Sequence, residues 1–172
     1  MSQVLTVQPL TREAFAPYGD VIEAAAGSAA SVYAVNDGRA QRFHDLARIE
    51  TSDAGGRTVM SIFRTEAILL PFEITELERH PRGSQAFVPM HSVPFFIVVA
   101  ATATDGLLGP LMAFLTDGRQ GVSFRKGIWH HSLLAQASGD FLVIDREGVG
   151  DDNCEVFELQ TPYTIAAVAT LA

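Results

Sequence analysis

Cysteine is nearly missing from this chain, since Cys154 is the only one among 172 residues. One cysteine excludes an internal disulfide and any zinc site that needs several thiolates. A lone cysteine is more often a small buried or half-buried residue than a nucleophile, and we expect this of Cys154. Thiol chemistry is therefore not expected to carry the function.

Basic residues are also few. The chain has 12 lysines and arginines against 20 aspartates and glutamates, which gives a formal net charge of −8. This balance disfavours a nucleic acid or an anionic membrane as the main partner. A small anionic substrate remains possible, because a pocket can hold local arginine and histidine inside an acidic protein.

Long apolar runs and targeting signals are missing as well. The first six residues lack the basic start and apolar core of a signal peptide. The longest apolar run, roughly residues 93–103, is too short to span a bilayer and is typical of a buried strand. We therefore expect a cytoplasmic protein.

The apolar residues, 48% of the chain, are arranged in short runs that predict strands. With 172 residues, we expect a single domain over residues 1–172. The predicted strands are residues 58–63, 84–88, 95–100, 113–115, 122–124, 132–134, 141–144 and 155–159. A short helix is expected after Thr11, whose side chain can cap it. No long amphipathic helix alternates with these strands, which favours an all-β antiparallel sandwich or barrel with a few short helices.

A first cluster of polar residues surrounds a predicted turn. Glu78 and His80 are two residues apart, so on an extended chain their side chains point to one face. The segment 80–83 suits a tight turn, with proline second and glycine fourth. The turn can return Gln85 to the same interior, which would bring three ligating or hydrogen-bonding groups together. Taken alone, the pattern fits an exposed Glu and His equally well.

A second cluster is the segment 126–131, which contains Trp129, His130 and His131. Adjacent residues of an extended chain face opposite ways, so one of the two histidines is expected to face a pocket. The alternative is one histidine in the core and the other in solvent. A His-His pair next to a tryptophan favours a site.

A third cluster, Asp145 and Arg146, directly follows the apolar strand predicted at 141–144. Strand ends at the mouth of a barrel commonly carry functional groups. A solvated charge pair at a strand end is an equally good interpretation of Asp145.

Several cationic side chains could hold a substrate carboxylate, and the sequence does not rank them. Besides Arg146, the candidates are Arg64, Arg42, His44 and Arg79. Other motif classes are missing: the sequence has no glycine-rich phosphate loop, no Gly-x-Ser-x-Gly elbow and no basic stripe with interleaved aromatics.

These clusters resemble the motifs of the cupin superfamily. Glu78, His80 and Gln85 stand where the first cupin motif, His-x-His-(x3–4)-Glu, has its two histidines and its glutamate. The segment ending at His130 is similar to the end of the second motif, whose histidine is the fourth ligand. The resemblance implies a jelly-roll-like cupin β-barrel with a pocket near these four residues.

Over nearly its whole length the chain resembles the bacterial ureidoglycolate lyases. The similar stretches are residues 18–22, 42–46, 76–81, 85–90, 121–122, 129–131 and 144–146. This resemblance implies cleavage of ureidoglycolate to glyoxylate and urea in allantoin (purine) catabolism, by a homodimer. His80 and His130 are expected as catalytic bases, with Glu78 as a partner or acid. Gln85, Arg64, Arg146, Asp145 and His131 are expected to bind substrate.

The cofactor expected from the resemblance is a divalent metal, nickel or manganese, held by His80, His130, Glu78 and Gln85. Two of these four positions depart from the metal-binding pattern, and Gln85 is a neutral, weak ligand where a carboxylate is usual. A pocket without metal is therefore an equal alternative.

Two other classes of function remain open at this point. The chain could be another cupin enzyme, a metal-dependent dioxygenase or isomerase. It could also be a non-catalytic cupin that binds a small acid.

Overall fold

The computed structural model describes residues 2–25, 31–102, 108–150 and 153–167. Within these ranges the chain forms fifteen strands, one short α-helix, α1 (Arg12–Phe15), and one turn of 3₁₀ helix (Asp53–Gly55). In chain order the strands are β1 (Gln3–Val4), β2 (Val7–Pro9), β3 (Gly19–Ile22), β4 (Ser31–Val35), β5 (Ala40–His44), β6 (Arg57–Thr65), β7 (Phe72–Arg79), β8 (Gln85–Pro89), β9 (Phe95–Ala100), β10 (Met112–Leu115), β11 (Gly121–Phe124), β12 (Trp129–His130), β13 (Leu134–Ala135), β14 (Gly139–Glu147) and β15 (Glu155–Ile165). No helix of these ranges is long and apolar enough to cross a membrane.

Two sheets form the body of the protein. The first has the strand order β1-β15-β7-β12-β9-β10-β2, with β13 also paired to β9, and the second has the order β3-β11-β8-β14-β6. Most pairs are antiparallel, while β1 with β15 and β10 with β2 are parallel. The fold is an all-β, cupin-type barrel with short helices, and the predicted fold class is confirmed.

Strand β9 separates two hydrophobic clusters, and all six of its residues are buried. Phe95, Ile97 and Val99 face the space between the sheets, where they join side chains of the second sheet such as Phe141. Phe96, Val98 and Ala100 face the opposite way, into a second cluster on the other side of the first sheet. The continuous apolar sequence of β9 follows from burial on both faces.

The helix α1 begins where its cap was expected. The Thr11 hydroxyl accepts a hydrogen bond from the backbone N–H of Ala14 at 3.2 Å. Phe15, at the end of the helix, is fully buried and meets Phe114 edge-to-face at 5.7 Å. One turn of helix therefore places the aromatic ring of Phe15 in the space between the sheets.

One turn links the two sheets next to the polar cluster. β7 belongs to the first sheet and β8 to the second, so residues 80–84 carry the chain from one sheet to the other. The predicted turn is present, with Pro81 and Arg82 at its tip. Glu78 near the end of β7 and Gln85 at the start of β8 are thereby brought close together.

Candidate active site

The pairing of β12 with β7 fixes the first two members of the site. His130 lies directly opposite Glu78 in this antiparallel pair. Directly opposed residues of such a pair project to one face, with their Cβ atoms about 5 Å apart. His80 follows β7, and its carbonyl accepts a hydrogen bond from the N–H of Gly127 at 2.9 Å. The sequence segments 78–80 and 127–130 are therefore held side by side by backbone bonds.

Four polar atoms converge at this place. His130 Nε2 lies 3.6 Å from Glu78 Oε1 and 3.2 Å from Gln85 Oε1. His80 Nε2 lies 4.0 Å from the same Glu78 oxygen. Ligand atoms of Glu78, His80 and His130 all lie within 4.8 Å of one another, close enough to hold one ion. The structure thus brings together all four residues of the expected ligand set.

His130 is fixed by its surroundings. Its side chain is 1% exposed, and its ring stacks on Phe124 with centroids 4.2 Å apart and planes at 13°. Its Nδ1 lies 2.9 Å from the carbonyl oxygen of Ile128, which can only accept, so Nδ1 carries the proton. Burial is the main cause that lowers the pKa of His130 to about 3; the bond to Ile128 opposes the shift, and the neighbouring His80 and His131 add to it. At neutral pH the ring is neutral and presents an Nε2 lone pair to the site.

His80 presents the same atom in the same way. Its Nδ1 lies 2.7 Å from the carbonyl oxygen of Asn153, so Nδ1 is again the donor. Its Nε2 is buried and has no hydrogen-bond partner among the described residues. An acceptor buried without a partner costs about 1–3 kcal/mol, so this atom is suited to bind something that the protein does not supply.

The convergence of acceptors favours a cation at this point. Both imidazoles direct Nε2 lone pairs inward, and Glu78 and Gln85 add side-chain oxygens. Acceptors that face one another repel unless a proton or metal ion lies among them. Nitrogen and oxygen donors of this kind suit divalent first-row metals. The donor set therefore fits a divalent ion, although glutamine is its weakest member.

A cavity of about 280 Å³ opens beside these groups. This is close to the lower limit for ligand pockets, which suits a small substrate. Its walls are formed by His80, Gln85, Asp145, Arg146, Gly150, Asn153 and Cys154. Two of the four groups that converge, His80 and Gln85, therefore line the cavity together with Asp145 and Arg146 of the third predicted cluster.

Arg146 is a buried cation in the cavity wall. Its Nε and Nη2 both donate to the carbonyl oxygen of Asp53, at 3.0 and 2.8 Å. Glycines pack closely around the side chain: a Cβ added at Gly56 would overlap Nε, and one added at Gly148 would overlap Nη1 and Nη2. The guanidinium is therefore held in one orientation, in a residue that lines the cavity.

Two predicted substrate-binding residues are not brought to this cluster. The side chain of Arg64 is 82% exposed. It forms a bidentate ion pair with Asp140, in which Nε and Nη2 donate to the carboxylate at 2.8 and 3.0 Å. His131 points to the other side of its strand and meets Phe72 edge-to-face at 5.7 Å. The alternation of strand residues predicts that His130 and His131 face opposite ways, and they do.

Three residues of the cavity wall, Gly150, Asn153 and Cys154, are not among the predicted site residues. Asn153 was not singled out, because its contribution to His80 is a backbone carbonyl, which any residue type provides. The prediction that Cys154 is a small buried or half-buried residue is wrong: it is exposed, just before β15 at the edge of the cavity. Partial desolvation and the charge of Glu78, whose Oε2 lies 4.0 Å from the sulfur, raise the pKa of Cys154. The thiol therefore stays protonated at neutral pH and is a poor nucleophile.

Comparison with known proteins decides the family. The sequence pattern of one family, described as ureidoglycolate lyase, matches residues 2–166. The chain belongs to the ureidoglycolate lyase family. The resemblance seen in the sequence motifs is thereby confirmed over nearly the whole chain.

Individual relatives agree with the assignment to the ureidoglycolate lyase family. A ureidoglycolate lyase of Burkholderia mallei is 50% identical over 149 residues, which are 86% of this chain and 85% of that protein. One of Brucella ovis is 46% identical over 169 residues, 98% of each chain. One of Pseudomonas fluorescens is 45% identical over 154 residues, 89% of this chain and 90% of that protein. The family pattern, over residues 2–166, covers every strand that contributes to the site.

Proposed function

We propose that this chain is a lyase that cleaves ureidoglycolate to glyoxylate and urea in allantoin (purine) catabolism, with a cytoplasmic location. The observation that carries the proposal is the unpartnered Nε2 of His80, a residue that lines a small cavity and lies beside a carboxylate, in a member of this family. The reaction needs a lone pair at such a position. Relatives that carry the name ureidoglycolate lyase favour this activity over the other cupin functions considered above.

Cleavage of the substrate requires little beyond the transfer of one proton from its hydroxyl to its ureido nitrogen. In ureidoglycolate one carbon bears a hydroxyl, a carboxylate and the ureido nitrogen. When the carbon–nitrogen bond breaks, its electron pair goes to nitrogen and the O–H electrons form the carbonyl of glyoxylate. The hydroxyl proton must leave oxygen, and nitrogen must gain one. No water and no covalent intermediate are needed, which suits a site without a reactive nucleophile.

His80 is the group that moves this proton. Its Nε2 lone pair takes the hydroxyl proton, and the same atom then donates to the departing urea nitrogen. Glu78 Oε1, 4.0 Å away, stabilises the imidazolium that forms between these two steps. His130 is a poor general base at neutral pH because its pKa is about 3, so the base is assigned to His80.

The remaining groups orient the substrate. Arg146, held by the Asp53 carbonyl, presents a buried cation for the substrate carboxylate. Gln85 and Asp145 line the same cavity and can hydrogen-bond the hydroxyl and ureido groups. A carboxylate in a desolvated site binds an arginine more tightly than it would in water.

A divalent ion such as nickel or manganese would be held by Glu78, His80, His130 and Gln85. Such an ion, when bound, lowers the pKa of the substrate hydroxyl and offsets the charge of the carboxylate. His80 Nε2 cannot hold an ion and move a proton at the same moment, since one lone pair serves both. Activity with and without a chelator separates these two roles of His80.

The test is a direct assay of urea and glyoxylate release from ureidoglycolate, before and after treatment with a chelator. His80→Ala is expected to lower kcat by about 10²–10⁴-fold, the usual contribution of a positioned acid–base group. Activity that survives the chelator supports proton transfer by His80, and activity lost with it and restored by Mn²⁺ or Ni²⁺ supports ligation.

The matched control is a histidine outside the cluster. His131→Ala removes an imidazole next in sequence to His130 but on the other side of the strand. It is expected to keep kcat within a few fold of the unsubstituted protein. The proposed activity is wrong if the unsubstituted protein releases no urea in either condition. The assignment of His80 is wrong if His80→Ala turns over normally.

The proposal includes a homodimer. Met60 and Ile62 on the outer face of β6 are 70% and 59% exposed, and they lie beside Ile144 and Leu142 of β14. Contiguous exposed apolar side chains of this kind mark interaction surfaces. The hairpin β4–β5 pairs with no other described strand, and an isolated hairpin is marginally stable in water. Both features support a second copy as the partner.

A further inference from the structure

Asn153 binds the turn of the site at two points. Its backbone carbonyl accepts a hydrogen bond from Nδ1 of His80 at 2.7 Å. Its side-chain Oδ1 accepts one from the backbone N–H of Arg82 at 2.9 Å. The residue thus spans His80 and Arg82, which are more than 70 positions away along the chain. Between them Pro81 has no N–H, so the turn depends on few donors.

We call these two hydrogen bonds of Asn153 the clamp. The clamp decides which nitrogen of His80 is protonated. A neutral imidazole has one N–H and one lone pair, and the partner of one nitrogen fixes the state of the other. Without the carbonyl of Asn153, a proton on Nε2 would be favoured by the carboxylate of Glu78, whose Oε1 lies 4.0 Å away. The clamp prevents this, because the carbonyl requires the proton on Nδ1. The buried Nε2 is left as a lone pair with no partner.

We propose that Asn153 is a positioning residue that holds His80 in the Nδ1–H tautomer and so keeps its Nε2 lone pair free for the reaction. This inference rests on the proposed function and deepens it. Proton abstraction and ion ligation both need the Nε2 lone pair, so Asn153 serves His80 in either role. The side chain of Asn153 acts through its bond to Arg82, which holds the carbonyl in place over His80.

The experiment compares Asn153→Ala with Asn153→Asp in the full chain. Alanine removes Oδ1 and releases the N–H of Arg82, whereas aspartate keeps an oxygen at the same position. Nitrogen-15 NMR of the histidine rings, at mildly alkaline pH where imidazole is ordinarily neutral, reports which nitrogen carries the proton. Steady-state kinetics of urea release are measured on the same samples.

The unsubstituted protein and Asn153→Asp are expected to carry the proton of His80 on Nδ1. Asn153→Ala is expected to populate the Nε2–H tautomer and to lose about 10–100-fold in kcat, the usual effect of removing a group that orients a functional histidine. KM is expected to change much less, since Arg146 and Gln85 are untouched. Recovery with aspartate separates positioning from a general loss of structure.

His130 provides an internal check on folding, because its Nδ1 proton is fixed by Ile128 and not by Asn153. Its ring signals should stay at Nδ1–H in every variant. If alanine disturbs them, Asn153→Ser, which keeps a smaller oxygen acceptor, replaces it and should give a milder shift toward Nε2–H.

The inference is overturned if His80 carries a proton on Nε2 in the unsubstituted protein, or if it keeps a pure Nδ1–H tautomer in Asn153→Ala. These results are independent of the reaction. A protein without urea release but with the expected tautomers would refute the proposed function and leave the role of Asn153 in His80 intact.

Discussion

His130 shows how burial limits the chemistry of a single residue. Its ring is covered by Phe124, its Nδ1 is used by the Ile128 carbonyl, and its pKa is about 3. Nε2, which carries a lone pair, is the one ring nitrogen left for function. A histidine in this state can orient or ligate but cannot act as an acid at neutral pH. The proposed mechanism therefore gives the two histidines different tasks, although both direct Nε2 inward.

At the residue scale, two arginines predicted to bind substrate are expected to behave differently. Arg146→Gln removes the buried cation of the cavity wall and is expected to raise KM for ureidoglycolate about 10–100-fold, consistent with the loss of a charged hydrogen bond worth about 1.5–3 kcal/mol. Arg64→Gln breaks an exposed ion pair with Asp140 and should leave KM unchanged. Steady-state kinetics check both. Equal effects of the two substitutions would contradict the assignment of Arg146.

At the element scale, the site depends on close pairing of strands, and β3 against β11 shows how close. A Cβ added at Gly19 would overlap the backbone carbonyl oxygen of Ser123, which cannot move without separating the two strands. Gly19→Ala is expected to destabilise the protein by about 1–3 kcal/mol, the usual cost of overpacking. Denaturant unfolding followed by circular dichroism measures this.

The control for Gly19→Ala is Gly38→Ala. Gly38 lies in the β4–β5 turn with φ +81° and nothing within 4 Å of an added Cβ. Alanine there carries the backbone cost of a left-handed residue, about 1–2 kcal/mol, without overlap. A substitution at Gly19 that is tolerated better than the one at Gly38 would contradict the close approach of β3 and β11.

The sequence predicts best those strands whose burial follows a regular pattern along the chain. β9 is predicted with its observed bounds, because six apolar residues in succession are typical of a strand buried on both faces. β7 was not among the predicted strands: its buried residues Ile74 and Leu77 are three apart, which breaks the two-residue period, and charged residues surround them. β4 and β5 are almost wholly exposed and leave no alternating pattern to detect.

The same reasoning explains what could be predicted of the site. Four polar side chains are recognisable in the sequence by their type and their spacing, and the structure brings them together: Glu78, His80, Gln85 and His130. The carbonyls of Ile128 and Asn153, which fix the two tautomers, have no sequence signature. Their contribution depends on where the backbone passes, and at Asn153 that position is held by the side-chain bond to Arg82.

At the scale of the whole molecule, the exposed face of β6 predicts how the chain associates. Ile62→Lys places a charge among Met60, Ile144 and Leu142 and is expected to shift the proposed dimer toward monomer, since a charge is costly in an apolar interface. Light scattering coupled to size-exclusion chromatography measures the mass in solution. The control is Val4→Lys, at another exposed position, on β1 of the other sheet. A monomeric unsubstituted protein, or an equal response to both substitutions, would count against this surface.

Burial of β9 on both faces has a further consequence for the molecule as a whole. The strand, Phe95–Ala100, has neither charge nor proline, which is the composition of segments that pair between chains when they are exposed. We expect heat-unfolded protein to aggregate rather than refold, and light scattering recorded together with circular dichroism during a melt checks this. A fully reversible melt would contradict it. The strand that separates the two hydrophobic clusters of the folded barrel is thus the segment whose exposure makes unfolding hard to reverse.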